Sequence, residues 1–289
     1  MYATIPSEVL MSPVAAHLED ATRLLRESIP SNQLPSLHTI IGDLGVLLGY
    51  LSFNGERPAQ ARAYLSAAED HATEANDPEL LARVLVAMGW TYSNVTTGGQ
   101  REPSQEALTR LQRADRLTKQ VSPMLKTLVT AHLAEEQAVA KKPYGSDEAF
   151  ARSREAFAIA EQAEPARHHP CAVADYHSLS NGEALDGYQG VRELLLGRGE
   201  QAIDTLASAL ERTRAPRRQA VILADLGDAL SQRGEPDEAC ARLGRAHTIC
   251  SAHDYPLGAQ RIVGVRERFP ERFAGLDCVR ELDERLRMR

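Results

Sequence analysis

Between Leu226 and His247 the chain reads LGDALSQRGEPDEACARLGRAH, with apolar or small residues at Leu226, Leu230, Ala239, Leu243 and Ala246. In the second half the spacing is four and then three, which puts these positions on one helical face. Gly234 and Pro236 punctuate the middle. Glycine permits the turn, and a proline at a helix start gives up only an N–H that would have had no partner. The pattern predicts a helical hairpin whose two faces are buried against each other and against neighbours.

The same pattern returns without a gap at Leu48–Ala68, LGYLSFNGERPAQARAYLSAA. Leu48-Gly49 matches Leu226-Gly227, Asn54-Gly55 and Pro58 occupy the turn, and Ala61, Leu65 and Ala68 match Ala239, Leu243 and Ala246. It returns again at Gln189–Ala209 with Ala202, Leu206 and Ala209. A fourth copy starts at Met88-Gly89 and carries Ala107, Leu111 and Ala114 after a longer loop, NVTTGGQREPS. A fifth, more degenerate unit is expected over 123–163, with a looser loop at KKPYGSD. No stretch rich in Gly, Ser or Pro divides the chain, so one domain is expected over 1–289. It comprises a capping helix within 1–34 (about 13–28), about five hairpins over 35–253, and capping helices over 254–289. The segment 164–182 interrupts the regular pattern.

A Gly eight positions into the first helix, small residues at twenty and twenty-seven, and an apolar residue at twenty-four resemble the tetratricopeptide repeat, a helix–turn–helix unit of about 34 residues. That resemblance implies an all-α, right-handed superhelical solenoid of hairpins with capping helices at both ends. The usual aromatic before Leu48 and Leu226 is absent and the closing proline is displaced, so some deviation in curvature is expected. The resemblance also implies a concave groove walled by the first helix of each unit. Its register places Asp43, Val46, Tyr50, Phe53 and Asn54 there, then Arg83, Val86, Trp90 and Asn94, and at the far end Val221, Asp228, Ser231 and Gln232. Tyr50, Phe53 and Trp90 stand out because aromatics make up only 5% of the chain. Such anchors beside amide and charged groups suit an extended peptide or a small apolar ligand. Phe53 and Trp90 read equally well as core residues between layers. Peptide-clamping relatives grip a C-terminal carboxylate with a Lys/Arg set, for which Arg83 is the one candidate here.

HLEDATRLLRESIP, then GDLGVLLGYLSFNGERPAQARAYLSAAEDHATEANDPELLARVLVAMGW, GVRELLLGRGEQAIDTLASAL and VRELDERLR together resemble the repeat region of actinobacterial regulators. Those carry an Xre-type helix-turn-helix head before a tetratricopeptide sensor. Residues 1–30 supply one amphipathic helix and then Pro30, too little for such a head. The expectation is a standalone relative or a chain that begins after the head, with no direct nucleic-acid binding of its own.

Composition agrees with helical layers: 43% hydrophobic residues with few aromatics. The net charge of −7 offers no basic surface for a polyanion. Arg214, Arg217 and Arg218 read as solvated helix ends. Cys171, Cys240, Cys250 and Cys278 form no CxxC pair and read as reduced, mostly packed thiols. Without a basic n-region ahead of an apolar core, or a run of about 18 apolar residues, a soluble cytoplasmic chain with no membrane partner is expected.

Chemical motifs are sparse. GRGEQA at 197–202 spells a dinucleotide-like GxGxxA, but Gly197 and Gly199 fall in an inter-helix turn rather than after a strand. His168, His169, Cys171, Asp175 and His177 form the one cluster with metal-ligand chemistry, without a familiar ligand spacing. No cofactor, metal site or catalytic residue is assigned. The expected function is a regulatory or sensor module that takes a peptide, small molecule or partner protein in its groove. The alternatives are a scaffold acting through its end helices, including a homodimer through the apolar face Val279, Leu282 and Leu286, and a helical-repeat enzyme using His168–His177.

Overall fold

The computed structural model describes residues 7–27, 29–93, 101–162 and 183–287. Within them the regular elements are helical: α1 (Ser7–Leu24), α2 (Leu34–Asn54), α3 (Pro58–Glu74), α4 (Pro78–Ser93), α5 (Gln105–Arg116), α6 (Pro123–Val139), α7 (Pro143–Gln162), α8 (Glu183–Leu195), α9 (Gly199–Arg212), α10 (Pro216–Arg233), α11 (Pro236–Ala252), α12 (Pro256–Glu267), a 3-10 turn (Glu271–Phe273) and α13 (Asp277–Arg287).

One turn device recurs. A left-handed residue stands two positions before a helix-opening proline at Glu56 (φ 57), Asn76 (φ 50), Lys141 (φ 55), Asp254 (φ 44) and Gly234 (φ 97). This corrects one expectation and details another. The KKPYGSD stretch is no looser loop, because α7 restarts at Pro143 and only Ala140–Lys142 intervene. In the Asn54-Gly55 turn the glycine keeps φ −87, and Glu56 takes the left-handed position. Helix α1 also starts earlier than expected, with Pro13 inside it. Gly197 and Gly199 occupy the turn into α9.

Helices pack in consecutive pairs: α2 with α3, α4 with α5, α6 with α7, α8 with α9, and α10 with α11. The pairing rests on missing side-chain volume. A Cβ on Gly190 would stand 2.5 Å from Leu206 Cγ, and one on Gly227 2.9 Å from Leu243 Cγ. In the α6/α7 pair, Ala134, Ser146, Phe150 and Ser153 take the places held elsewhere by Gly, Ala, Leu and Ala. The serine hydroxyls donate to Ala134 O and Thr127 O at 2.8 Å each, so the buried polar groups are satisfied.

The first helices of the pairs touch in the order α2, α4, α6, α8, α10 and then α12, and α12 touches α2. The inner row therefore closes on itself. At the ends, α1 covers one side of α2, while Val279 and Leu282 of α13 are buried in the core shared with α11. By length and composition α2 is apolar enough to cross a membrane (mean hydropathy 1.3). Here it is packed against α1, α3 and α4 and carries the buried Asp43. Cys240 and Cys250 are free buried thiols, and burial pushes each up to about 12. Cys171 lies outside the described residues.

The α7–α8 joint is ionic. Asp147 accepts from Arg198 at 3.0 Å on each oxygen and pairs with Arg192. The Arg198 hydrogen bonds dominate over burial and, with Arg192, bring the Asp147 carboxyl down to about 2. A depressed acid stabilises the fold above its unfolded value, near 4, and loses that contribution as the pH falls toward its folded value. Asp147→Asn should therefore lower the urea midpoint at neutral pH, and the gap from the parent should shrink steadily between about pH 4 and about pH 2.

Candidate ligand-binding cavity

The inner row lines a partly open cavity of about 220 Å³. Each inner helix contributes to it by helical spacing. The last turns of α2 give Tyr50, Phe53 and Asn54, and α4 gives Trp90. From α6 come His132 and Glu135, and from α8 Tyr188 and Val191. The α10 face gives Arg217, Arg218, Val221, Ile222 and Asp225. Tyr255, Leu257, Gln260 and Arg261 come from α12 and the turn before it, and Arg101 precedes α5. The chain has eight Tyr, five Phe and one Trp, and five of these line this one cavity. That concentration, in a chain so poor in aromatics, is what makes the cavity the candidate site.

The aromatic rings form a row, one from each of four consecutive inner helices. Tyr50 meets Trp90 edge-on at 6.4 Å, Trp90 meets His132 at 5.0 Å, and His132 meets Tyr188 at 4.7 Å. The Trp90 indole N–H donates to the His132 ring, 2.9 Å from Nε2, and the Tyr188 hydroxyl lies 2.9 Å from the same nitrogen. Arg218 continues the row, with its guanidinium over the Tyr188 ring at 4.8 Å. Gly187 makes room for it, since a Cβ there would stand 2.6 Å from Arg218 Nη2. Arg217 lies over the Tyr255 ring at 5.4 Å, tying α10 to the entry of α12.

Two ion pairs flank the row. Arg101 pairs with Glu135, reaches Glu136 at 3.7 Å and donates to Ser93 Oγ at 3.2 Å. Burial opposes ionisation of Glu135, but Arg101 and the hydrogen bond with His132 outweigh it and hold the carboxyl below the ordinary range. Next to it burial wins, and Glu136 is raised despite Arg101. Across the cavity Arg261 donates to Asp225 Oδ1 at 2.5 and 2.9 Å. Burial raises the Asp225 carboxyl, and Arg261 offsets this in part.

The expected groove residues divide. Tyr50, Phe53, Asn54 and Trp90 line the cavity. Phe53 is also buried, and Trp90 packs against two core clusters, so both roles are filled at once. Asp43 and Arg83 do not line it. They pair with each other at 2.5 Å between α2 and α4, which corrects both as groove residues and leaves no carboxylate clamp at Arg83. Asp228 and Ser231 are likewise corrected as the far end of a groove. Asp228 accepts from Arg268 at 2.5 Å and Gln232 at 2.9 Å, and Ser231 Oγ donates to Asp228 O. Asn94 and the cluster at His168, His169, Cys171, Asp175 and His177 lie outside the described residues. Among the described residues no group of three or more His, Cys, Asp and Glu is placed to hold a metal ion. Arg214 is exposed as expected, but Arg217 is buried and Arg218 half-buried, so those two are no solvated helix end.

His132, Glu135, Tyr188 and Asp225 were missed by the sequence register. The His132/Glu135 pair, three residues apart on one helical face, was the available signal.

No protein-family model matches this chain, and no curated protein matches it. Twelve chains of solved structures do match. One is the crystal structure of BtubC (BKLC) from P. vanneervenii, 16% identical, with a TM-score of 0.52 over 86% of this chain and 92% of that chain. At that identity the likeness concerns architecture alone: this chain has an all-helical, helical-repeat fold.

Proposed function

We propose that this chain is a binding protein, a tetratricopeptide-like superhelix curled until its first and last inner helices meet, which holds a small ligand in its central cavity. The observation that carries this reading is the row Tyr50–Trp90–His132–Tyr188, one ring from each of four successive inner helices. A ligand lying against that row touches several repeats at once, so its binding energy favours one curvature over another. That is how a sensor module would report occupancy to a regulator or partner protein. Binding is preferred over catalysis because the two carboxylates among the described lining residues are each engaged by an arginine, Glu135 by Arg101 and Asp225 by Arg261. The His132 nitrogens are also engaged by Trp90, Tyr188 and Glu135.

Native mass spectrometry of the full chain, purified without denaturation, tests the reading. The parent should carry an added small mass, one per chain, that denaturation releases. Trp90→Ala should lose it while keeping nearly the same far-ultraviolet circular dichroism, because a central aromatic anchor contributes about 2 kcal/mol or more to binding. A bare parent with a spectrum like that of the variant contradicts the proposal.

A further inference from the structure

The last helix carries chemistry that the central cavity does not use. Asp237, Cys240 and Gly244 share one face of α11 by helical spacing, and Cys278, Glu281 and Arg285 share one face of α13. The two faces meet around a second cavity, of about 390 Å³, which Cys240 and Cys278 both line. The helices approach closely there, since a Cβ on Gly244 would stand 3.1 Å from Arg285 Nη1. Across that contact the Cys278 thiol interacts with Cys240 and with Asp237. Both cysteines are free thiols.

The two sulfurs differ in access. Cys240 is buried, whereas Cys278 is half-buried and opens on the cavity. Burial, and after it Asp237, hold the Cys278 thiol above its ordinary value, and burial pushes Cys240 up to about 12. The thiolate is the attacking form, so such a pair meets an oxidant slowly. For the same reason no stabilised thiolate favours the reduced state once the sulfurs have joined.

We propose that Cys240 and Cys278 are a modification site: a peroxide-class oxidant joins them in a reversible disulfide that staples α13 to α11. The Cys278 sulfur attacks one peroxide oxygen, the O–O bond breaks, and Cys278 becomes a sulfenic acid as one water leaves. The Cys240 sulfur then attacks the Cys278 sulfur, and the sulfenic oxygen departs as a second water with the remaining thiol proton. Each sulfur gives up one electron, and the peroxide takes two. A dithiol reductant reverses the change by exchange. In the reduced chain α13 is held by Val279 and Leu282 in the core and by Arg266, which donates to Asp283 at 2.7 Å. The disulfide adds a covalent tie that also restricts the unfolded chain.

Peroxide treatment of the reduced full chain, then alkylation in denaturant and peptide mass mapping, tests the site. A linked Cys240–Cys278 peptide should appear and should vanish on treatment with dithiothreitol. The oxidised parent should unfold at a higher urea concentration than the reduced parent, and reduction should restore the lower midpoint. Cys240→Ser should stop at a Cys278 sulfenic acid that dimedone traps, and peroxide should not raise its midpoint. Recovery of Cys240 and Cys278 both alkylated after peroxide overturns the proposal. So does a bond that runs through Cys171, Cys250 or a second chain in place of this pair. A linked peptide without a rise in the midpoint overturns the staple. The reversible change in the parent carries the test should the variant misfold.

Discussion

Asp43→Ala should destabilise the protein by about 3–5 kcal/mol at neutral pH, read as the drop in urea unfolding free energy. Asp43 and Arg83 are both buried and face each other at 2.5 Å between α2 and α4. Removing the carboxylate strands a guanidinium that has left water and has lost its counter-charge. Asp43→Leu/Arg83→Met should behave differently, because replacing both charges by apolar side chains of similar size removes the desolvation penalty along with the attraction. That double variant should lie within about 1–2 kcal/mol of the parent, or above it. A loss in the double variant as large as in Asp43→Ala would mean that the polar groups make other contacts that the fold needs.

Leu206→Ala should cost about 2–5 kcal/mol, because Leu206 is fully buried and its removal leaves a cavity between α8 and α9. Gly190→Ala attacks the same contact from the opposite side. Its new Cβ would stand 2.5 Å from Leu206 Cγ, and overpacking of that kind costs about 1–3 kcal/mol. Combined, the added methyl enters the space the leucine has left. Gly190→Ala/Leu206→Ala should therefore be less destabilised than the two single losses added together, by about 1 kcal/mol or more. Strict additivity in denaturant melts would show that the glycine is not kept small by the leucine. The same logic covers Gly227 against Leu243.

Much of the fold was legible because helix pairing depends on side-chain size at fixed intervals. Gly49, Gly89, Gly190 and Gly227 each face the leucine of the following helix, so four of the pairs share a visible signature. The α6/α7 pair was expected as a degenerate unit over 123–163 but without a register, because Ala134, Ser146 and Ser153 do the same steric job with different letters, and two hydroxyls donate to α6 carbonyls. Missing that register had a consequence for the site. It hid His132 and Glu135 on α6, and with them the middle of the aromatic row. Tyr50 and Trp90 were found because their units are gap-free and aromatics are scarce. Asp43, Arg83, Asp228 and Ser231 were misplaced for another reason. A polar residue on an inner helix can face the cavity or a neighbouring helix, and the spacing is the same in both cases. Ring closure was illegible altogether, because the contact of α12 with α2 sums small rotations over every repeat. Arg217 and Arg218 read as solvated until closure turned the start of α10 inward.

The central claim is that the inner row holds a ligand site beside the rings of Tyr50, Trp90, His132 and Tyr188. A crystal structure of the full chain, purified without denaturation, tests it most directly. The account predicts density for a retained small molecule against Trp90 and Tyr188. A cavity that holds only water, in a chain whose native mass is that of the bare polypeptide, would contradict it.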